Sequence, residues 1–542
     1  MPDPRTRSSR PTPSAGEACS LSQKASQRAY SALGQYAGAA KVWRAYWEAQ
    51  LMPIRPLNRD LTWLFPPTLE ELIPTHHPAR FVAAFVEGLD RASWSAMGIP
   101  RDGDPLGAPS YDPRGLLCVW IYGFMTGVRS CRKLEGACRD QIPYLWLTGW
   151  EHPDHNTLWR FYQAHRQQLR ALFKRTVKTA IRMGLVDLAV QAVDGTKIQG
   201  NAARARTYDE AGLRQLLERA DTAIAELEAQ NEGGNDPPPP RLPEDLASAQ
   251  ALRERVQAAL EQVTAEDELR HVNLTDEDAR LIKSPHGYIA GYNAQAMVSP
   301  LDPEAAGRSG LFITAADLTN APDDHGQLLP MVQQAEENTG SRAELTLADG
   351  GYHSGETLEA CAEAECTVVM PETGRRASGE SDPYHKDWFV YDEQADTYTC
   401  PQEQMLHFAG ERRRKGQAGI RIYRASRAAC RVCPAFGVCT KDWRHGRVLE
   451  ATPHDSALRR HRLWMASEEA KTAYRQRKQL PEPVFGILKE RQGARRFLLR
   501  GLKNVQAEWM LLATAFNLQT LYRIWTSRQA NERNCALCGA LA

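Results

Sequence analysis

The sequence predicts a mixed α/β fold, in which a helical N-terminal domain precedes a sheet domain that carries two insertions. Apolar residues follow helical spacing over 57–184, and strand-like runs alternate with helical segments over 185–372. Four consecutive prolines at 237–240 and a stretch rich in charge and cysteine at 373–450 interrupt this pattern. Strands that alternate with helices are typical of a sheet with helices packed on it.

The individual elements follow from the spacing of apolar residues and from the Gly and Pro residues between them. Helices are predicted at 78–87, 116–125, 128–139, 156–183, 324–337 and 354–365, and a helical pair at 208–270 with its tip at 233–240. Strands are predicted at 186–194, 287–298, 311–317, 344–349 and 366–371. Residues 455–525 are predicted to be helical, and the strongly apolar part at 505–525 is expected to pack under the sheet.

These patterns divide the 542 residues into six segments. The segments are an extension at 1–56 that is expected to be partly disordered, a helical N-terminal domain at 57–184, the first part of the α/β domain at 185–372 with a helical insertion at 206–272, a cysteine-rich insertion at 373–450, the C-terminal helical part of the α/β domain at 451–527, and a tail at 528–542.

Charge is distributed unevenly along a chain whose net charge is only +1. Between Arg412 and Arg462 there are fourteen Lys or Arg residues against three acidic ones. Such a run indicates a surface for a polyanion or, in the alternative interpretation, a solvated charged face.

The sequence has no long apolar segment, so no membrane-spanning helix is expected. Residues 1–16 are polar and lack the apolar core of a signal peptide, which favours the cytoplasm. In that compartment the twelve cysteines are expected to be thiols or metal ligands. No phosphate-binding glycine loop of the P-loop type is present, so nucleotide hydrolysis is not predicted.

Three acidic residues stand out by their settings. Asp194 follows the apolar run 186–193 and precedes a glycine, and Asp349 follows the run 344–348 and precedes two glycines. Glu482 lies in a basic helical stretch, seven residues before Lys489 and on the same helix face. Each aspartate alone is typical of a turn. Two strand ends with a helix across them, however, can bring three carboxylates to one divalent metal site.

The motifs around these residues resemble those of one family. The stretches are Ala192-Val-Asp-Gly-Thr-Lys-Ile198, Leu347-Ala-Asp-Gly-Gly-Tyr-His353, and Tyr474-x2-Arg477-x4-Glu482-Pro-Val-Phe-Gly-x2-Lys489. In this order, and together with shorter stretches at 111–114, 130–135, 153–160, 275–280 and 291–295, they resemble the bacterial insertion-sequence transposases that have a DDE, ribonuclease-H-like catalytic domain. The resemblance extends over roughly residues 58–522.

The resemblance implies an enzyme that acts on double-stranded DNA. Asp194, Asp349 and Glu482 would hold two Mg²⁺ ions, with Mn²⁺ as an alternative. Water would attack at the end of the element, and the 3′-OH so released would attack target DNA. The partners would be element ends and target DNA, bound by a homodimer, and the location would be the bacterial cytoplasm at the nucleoid.

The resemblance also implies residues that contact DNA. Tyr474, Arg477 and Lys489 would contact phosphates near the cleavage point. Four residues separate Arg477 from Glu482, where the best-known form of the pattern has three. Because prolines flank Glu482, the helix is expected to restart there.

The N-terminal helices offer a second group of basic residues. Arg132 and Lys133 lie on one predicted helix, and Arg160 lies on the next one. These helices could form a helix-turn-helix-like reader of DNA, or a plain helical bundle with exposed arginines.

Four cysteines of the second insertion are candidate metal ligands. Cys400, Cys430, Cys433 and Cys439 could supply four thiolates to a structural Zn²⁺, or remain four free thiols. The insertion contains few apolar residues, so a metal would explain how it folds.

Two other functions remain open from the sequence. One is a domesticated or inactive copy that binds DNA as a regulator. The other is a different ribonuclease-H-like nuclease that acts on branched or hybrid nucleic acid.

Overall fold

The computed structural model describes residues 67–99, 110–232, 244–265, 269–285, 287–372, 383–392, 394–413 and 419–541. The predicted extension at 1–56 lies outside the described residues, and so does the proline-rich tip of the first insertion.

Helices make up the N-terminal part of the described chain. They are α1 (Leu69–Leu72), α2 (Pro78–Glu87), α3 (Arg91–Ala96), α4 (Pro113–Thr126), α5 (Cys131–Asp140), α6 (Ile142–Thr148), α7 (His155–His165) and α8 (Arg170–Arg182). The single helix predicted over 156–183 is wrong, since α7 and α8 are separate helices. Leu169 in the turn between them is buried, so apolar spacing continues through the break and conceals it.

The central sheet contains six strands. They are β1 (Val190–Gln199), β4 (Arg280–Ser284), β5 (Gly287–Pro300), β6 (Leu311–Thr319), β7 (Leu345–Leu347) and β8 (Val368–Val369). The two strands between β1 and β4 in the chain, β2 (Thr207–Tyr208) and β3 (Val272–Asn273), belong to the first insertion. Antiparallel pairing joins β6 to β5 and β5 to β1, and parallel pairing joins β1 to β7 and β7 to β8. Strand β4, which the sequence did not predict, forms a hairpin with β5.

Both faces of the sheet are covered. Val193 packs into a core with α12 (Leu328–Thr339) and α13 (Gly355–Glu363), whereas Ala192 packs into the larger core on the other face. The short helix α11 (Pro303–Ala306) lies between β5 and β6. This order of strands and helices is consistent with a ribonuclease-H-like domain, and the predicted fold class is confirmed.

The first insertion is a helical hairpin on a two-stranded base. Its base pairs β2 (Thr207–Tyr208) with β3 (Val272–Asn273), and its arms are α9 (Glu210–Glu232) and α10 (Glu244–Ala265). Leu213 and Val256 are buried between the arms, so the hairpin has a small core of its own.

The second insertion is a five-stranded antiparallel sheet. Its elements are β9 (Val390–Asp392), β10 (Thr397–Thr399), β11 (Met405–Arg412), β12 (Ile420–Ala425), α14 (Arg427–Arg431) and β13 (Val448–Ala451). Phe389, Leu406 and Tyr423 form its buried centre. The sequence predicted no strands here, because the outer face of these strands is polar and their apolar runs are short.

The chain ends in helices that return to the first sheet. They are α15 (Asp455–Ala466), α16 (Glu468–Arg475), α17 (Pro481–Glu490) and α18 (Leu502–Leu541). Trp509 of α18 is buried and donates from Nε1 to the Gln295 carbonyl at 3.0 Å, which confirms that this helix packs under the sheet. Among the described residues, no helix is long and apolar enough to cross a membrane.

Candidate active site

Asp194 and Asp349 come together on two neighbouring parallel strands. Ala192 of β1 is paired with Leu347 of β7, so the residues two positions further on, Asp194 and Asp349, lie side by side. Asp349 follows the end of β7, and its Oδ1 accepts a hydrogen bond from the Gly351 amide at 2.7 Å.

The position of Asp194 in its strand differs from the prediction. The sequence places it at the strand end, whereas β1 continues to Gln199. The residues after Asp194 remain paired with β5, from Gly195 with Gln295 to Gln199 with Gly291, and Ile198 is buried. Gly195 therefore does not end the strand.

A buried guanidinium joins the two carboxylates. Arg477 Nη2 lies 2.9 Å from Asp194 Oδ1 and 3.6 Å from Asp349 Oδ2. Arg477 begins the single 3₁₀ turn Arg477–Gln479 between α16 and α17. One cation thus faces two like charges, and this compensates part of their mutual repulsion.

Electrostatics at this pair favour a bound cation. Burial raises the pKa of Asp194 to about 6; Arg477 acts in the opposite direction, and the neighbouring Asp349 raises the pKa further. Because this pKa still lies below neutral pH, Asp194 is mainly ionised at pH 7, and a bound cation would stabilise the ionised form further.

Lys489 and Tyr474 also reach the site. Lys489 Nζ donates to Thr196 Oγ1 at 2.5 Å, two residues beyond Asp194, and burial lowers the pKa of Lys489. Tyr474 is half-buried; burial raises its pKa, and its hydroxyl is within the electrostatic influence of Arg477 and Asp349.

Glu482 is placed differently. It lies in the first turn of α17, which begins at Pro481 as the prolines predicted, and its side chain is exposed. Throughout the described residues, no group of three or more His, Cys, Asp or Glu side chains is arranged to hold a metal ion. The structure thus brings Asp194 and Asp349 together and leaves Glu482 outside any such group.

Sequence reasoning missed a third acidic residue at this site. Asp324 lies in the loop between β6 and α12, where the sequence had predicted the start of a helix; α12 begins only at Leu328. Its Oδ1 accepts from Asn293 Nδ2 and Gln295 Nε2, both at 2.7 Å, and from Lys197 Nζ at 3.2 Å. The sequence showed only an aspartate at the start of a predicted helix, because the partners of Asp324 lie about thirty or more residues away in the chain.

Two parts of the chain match known protein families. Residues 399–522 match a family described as Transposase DDE domain, and residues 67–164 match one described as Transposase domain (DUF772). Both matches are to transposase domains, and together they support an insertion-sequence DDE transposase. No curated protein matches the chain.

The two matches cover the transposase unevenly. The DDE match contains Tyr474, Arg477, Glu482 and Lys489, and it does not reach Asp194 or Asp349. The N-terminal match spans α1 to most of α7. Neither match covers residues 165–398, which contain both aspartates. The assignment of these aspartates to the site therefore depends on the geometry described above.

The N-terminal basic residues lie on the transposase surface. Arg132 and Lys133 are exposed on α5, and Arg160 is exposed on α7. Helices α5 and α7 are tied by Glu135, which accepts from His155 Nδ1 at 2.7 Å and from Arg139 at 2.6 Å. The three predicted DNA contacts are thus available to a partner.

The four cysteines of the second insertion lie together. Cys400, Cys430, Cys433 and Cys439 line one small cavity of about 20 Å³, and all four are free thiols. The Gln404 amide donates to Cys400 Sγ at 3.2 Å, and the Arg447 amide donates to Cys430 Sγ at 3.5 Å. Burial raises the pKa of Cys439, Arg447 opposes this, and the other three cysteines add to it.

Proposed function

We propose that this transposase cleaves DNA at the ends of an insertion sequence and transfers the released 3′-OH strand to target DNA. The observation that carries the proposal is the pairing of Asp194 with Asp349 on adjacent parallel strands, with Arg477 across both. Neighbouring parallel strands can place two carboxylates side by side at one edge of a sheet. Such a pair supplies two of the ligands that a two-metal site needs.

Mg²⁺ fits the donors present, with Mn²⁺ as an alternative. Asp194 and Asp349 offer hard oxygen ligands, and a divalent cation would offset the burial that raises the pKa of Asp194. When bound, two such ions would stabilise the attacking and leaving oxygens of an in-line displacement at phosphorus.

Glu482 is the proposed third ligand. In the chain it lies between Arg477, which contacts Asp194, and Lys489, which contacts Thr196. The turn that carries Glu482 is therefore bounded on both sides by residues that reach β1. Its exposed side chain, in the first turn of α17, supports a position at the rim of the site.

The DNA contacts proposed near the cleavage point are Tyr474, Arg477 and Lys489. Arg477 Nη2 lies 2.9 Å from Asp194 Oδ1, so a phosphate held at the proposed metal site would lie near its positive charge. Further along the duplex, Arg132, Lys133 and Arg160 would contact the backbone by charge.

We also propose a structural Zn²⁺ in the second insertion. Cys400, Cys430, Cys433 and Cys439 already surround one cavity, and backbone amides point at two of the sulfurs. Amide donors of this kind stabilise thiolates over thiols. The ion would link the loops at the end of a sheet whose buried centre is small.

The reaction requires two element ends in one complex, which supports a homodimer on DNA. The DNA substrates also support action in the bacterial cytoplasm at the nucleoid.

The decisive experiment uses the purified full chain and duplex DNA that carries the inverted repeats flanking its gene. We expect nicks at the repeat ends, and then strand transfer, with Mg²⁺ or Mn²⁺, and binding without cleavage with Ca²⁺. Asp323→Asn, at an exposed position, serves as the control variant. Binding without cleavage in every metal would support the regulator instead, and cleavage confined to branched or hybrid substrates would support the other nuclease.

A further inference from the structure

Asp324 lies behind the carboxylate pair, on the other face of the sheet. Side chains alternate along a strand, so the face of Gly195 is opposite to that of Asp194. A Cβ on Gly195 would come within 2.4 Å of Asp324 Oδ1, so the carboxylate occupies the space that a side chain at 195 would fill. A side chain at 195 would therefore have to displace Asp324 and its hydrogen-bond partners.

The same carboxylate touches the turn that carries Asp349. A Cβ on Gly351 would lie 3.3 Å from Asp324 Oδ2 and 2.9 Å from Asp349 Oδ1. The Gly351 amide holds Asp349 Oδ1 at 2.7 Å. Asp324 therefore packs against one glycine beside each aspartate of the pair.

Hydrogen bonds fix Asp324 in this place. Lys197 of β1 donates to it at 3.2 Å, and Asn293 and Gln295 of β5 each donate at 2.7 Å. Its side chain is only 16% exposed. A largely buried carboxylate with three donors has little freedom to move.

The network continues to the second turn. Gln295 Oε1 accepts from the Tyr352 hydroxyl, and Tyr352 directly follows Gly351 and is fully buried. One connected set of polar contacts thus joins β1, β5 and the turn after β7.

We propose that Asp324 is a positioning residue, which sets the separation of Asp194 and Asp349 through Gly195, Gly351 and Tyr352. The inference rests on the proposed function, because it concerns the geometry of that metal site. Sites of this kind tolerate displacements of only about 0.5 Å, so a rigid support behind both turns acts directly on metal affinity. In this proposal Asp324 acts through these neighbours and not as a metal ligand.

The test is a calorimetric titration of the full chain with Mn²⁺ in the absence of DNA, beside the cleavage assay. We expect Asp324→Asn to weaken Mn²⁺ binding on the order of ten-fold, as loss of outer-shell support does. The amide keeps an oxygen at the position of Oδ1 but removes the negative charge that faces Lys197, and it places an NH₂ at the position of Oδ2, 3.5 Å from Lys197 Nζ. Asp323→Asn, one residue away and exposed, is expected to bind as the wild type does.

Tyr352→Phe is the second variant, for use if Asp324→Asn does not fold. It removes one hydroxyl from the network and keeps every charge, so a smaller loss of Mn²⁺ affinity in the same direction is expected. Wild-type Mn²⁺ affinity in the folded Asp324→Asn protein, or in Tyr352→Phe where only that variant folds, overturns the inference. A wild type that neither binds Mn²⁺ nor cleaves overturns the proposed function itself, and the inference with it.

Discussion

Arg477 Nη2 lies 2.9 Å from Asp194 Oδ1, and the same nitrogen is 3.6 Å from Asp349 Oδ2. The two carboxylates are therefore close enough to contact the same guanidinium, although they are 155 residues apart in the sequence. Their closeness follows from the parallel pairing of β1 with β7. Most of the predictions below depend on this group of three residues.

Asp194→Asn is expected to abolish cleavage and to leave DNA binding nearly unchanged. The amide keeps the shape of the side chain and loses the negative oxygen that a divalent ion needs. Cleavage of end DNA and a mobility-shift assay measure the two properties separately. Asp187→Asn, at a half-buried position upstream of β1, is the control. Full cleavage by Asp194→Asn would remove this residue from the mechanism.

Arg477→Lys is expected to lower cleavage by a factor of about ten or more. Lysine keeps the charge, but its single ammonium cannot reach two carboxylates and a phosphate as a planar guanidinium can. Arg475→Lys makes the same exchange at an exposed position of α16 and is expected to have no effect. Equal rates for the two variants would show that only the charge at 477 matters.

Metal binding is expected to weaken as the pH falls through about 6. The pKa of Asp194 is raised to about 6, mainly by burial, so the protonated form dominates below that pH. Protons and metal compete for the same oxygens, and one unit below the pKa only about a tenth of the carboxyls are ionised. Mn²⁺ affinity should thus be about ten-fold lower near pH 5 than near pH 7.5.

The same pKa shift has a consequence for the metal-free fold. Because the pKa of Asp194 in the folded protein lies above its ordinary value of 3.8, the stabilising contribution of protonated Asp194 is fully present below about pH 3.8 and is lost as the pH rises through about 6. Asp194→Asn should lack both this change and the pH dependence of Mn²⁺ binding. An Mn²⁺ affinity in the wild type that is constant across this range would contradict the assignment of Asp194 as a ligand.

What the sequence could predict at this site was local. An apolar run followed by Asp-Gly indicated where β1 and β7 carry a carboxylate, and the two-residue period indicated the face. That these strands are neighbours came from the family resemblance and not from any residue pattern. Asp324 was missed because its role depends on Asn293, Gln295 and Lys197, which only the folded sheet brings to it.

The direction of the Glu482 side chain could not be predicted for a similar reason. The prolines at 481 and 483 correctly indicated where α17 begins, but the rotation of a helix about its axis is set by packing. Val484, Phe485 and Leu488 are buried and fix that rotation. Glu482, two positions before Val484, is then exposed.

Cys433→Ser is expected to lower the zinc content of the purified protein by about one equivalent and to loosen the second insertion. Cys433 is one of four thiols around the same cavity, and a hydroxyl is a poor ligand for Zn²⁺. Cys131→Ser, in α5, is the matched control. Elemental analysis and limited proteolysis give the two readouts. Equal zinc in both variants, or none in the wild type, would end the zinc proposal.

Arg129→Met is expected to destabilise the fold by about 3–5 kcal/mol, because it leaves the charge of Glu508 buried and unpaired. Arg129 Nη1 lies 2.8 Å from Glu508 Oε1, and both side chains are nearly inaccessible to solvent. The same guanidinium also donates to the carbonyls of Gly493 and Arg496, so it links the N-terminal helices to the segment between α17 and α18.

Urea denaturation of the wild type and of three variants separates these contributions. Arg132→Met, at an exposed position of α5, should change the free energy of unfolding by no more than about 0.5 kcal/mol. Arg129→Met combined with Glu508→Gln should lose less than Arg129→Met alone, because the introduced amide would be neutral and could still accept from the Leu498 amide. If the double variant were the less stable of the two, the cost would come from packing and from the lost carbonyl contacts of Arg129, and not from the unpaired charge.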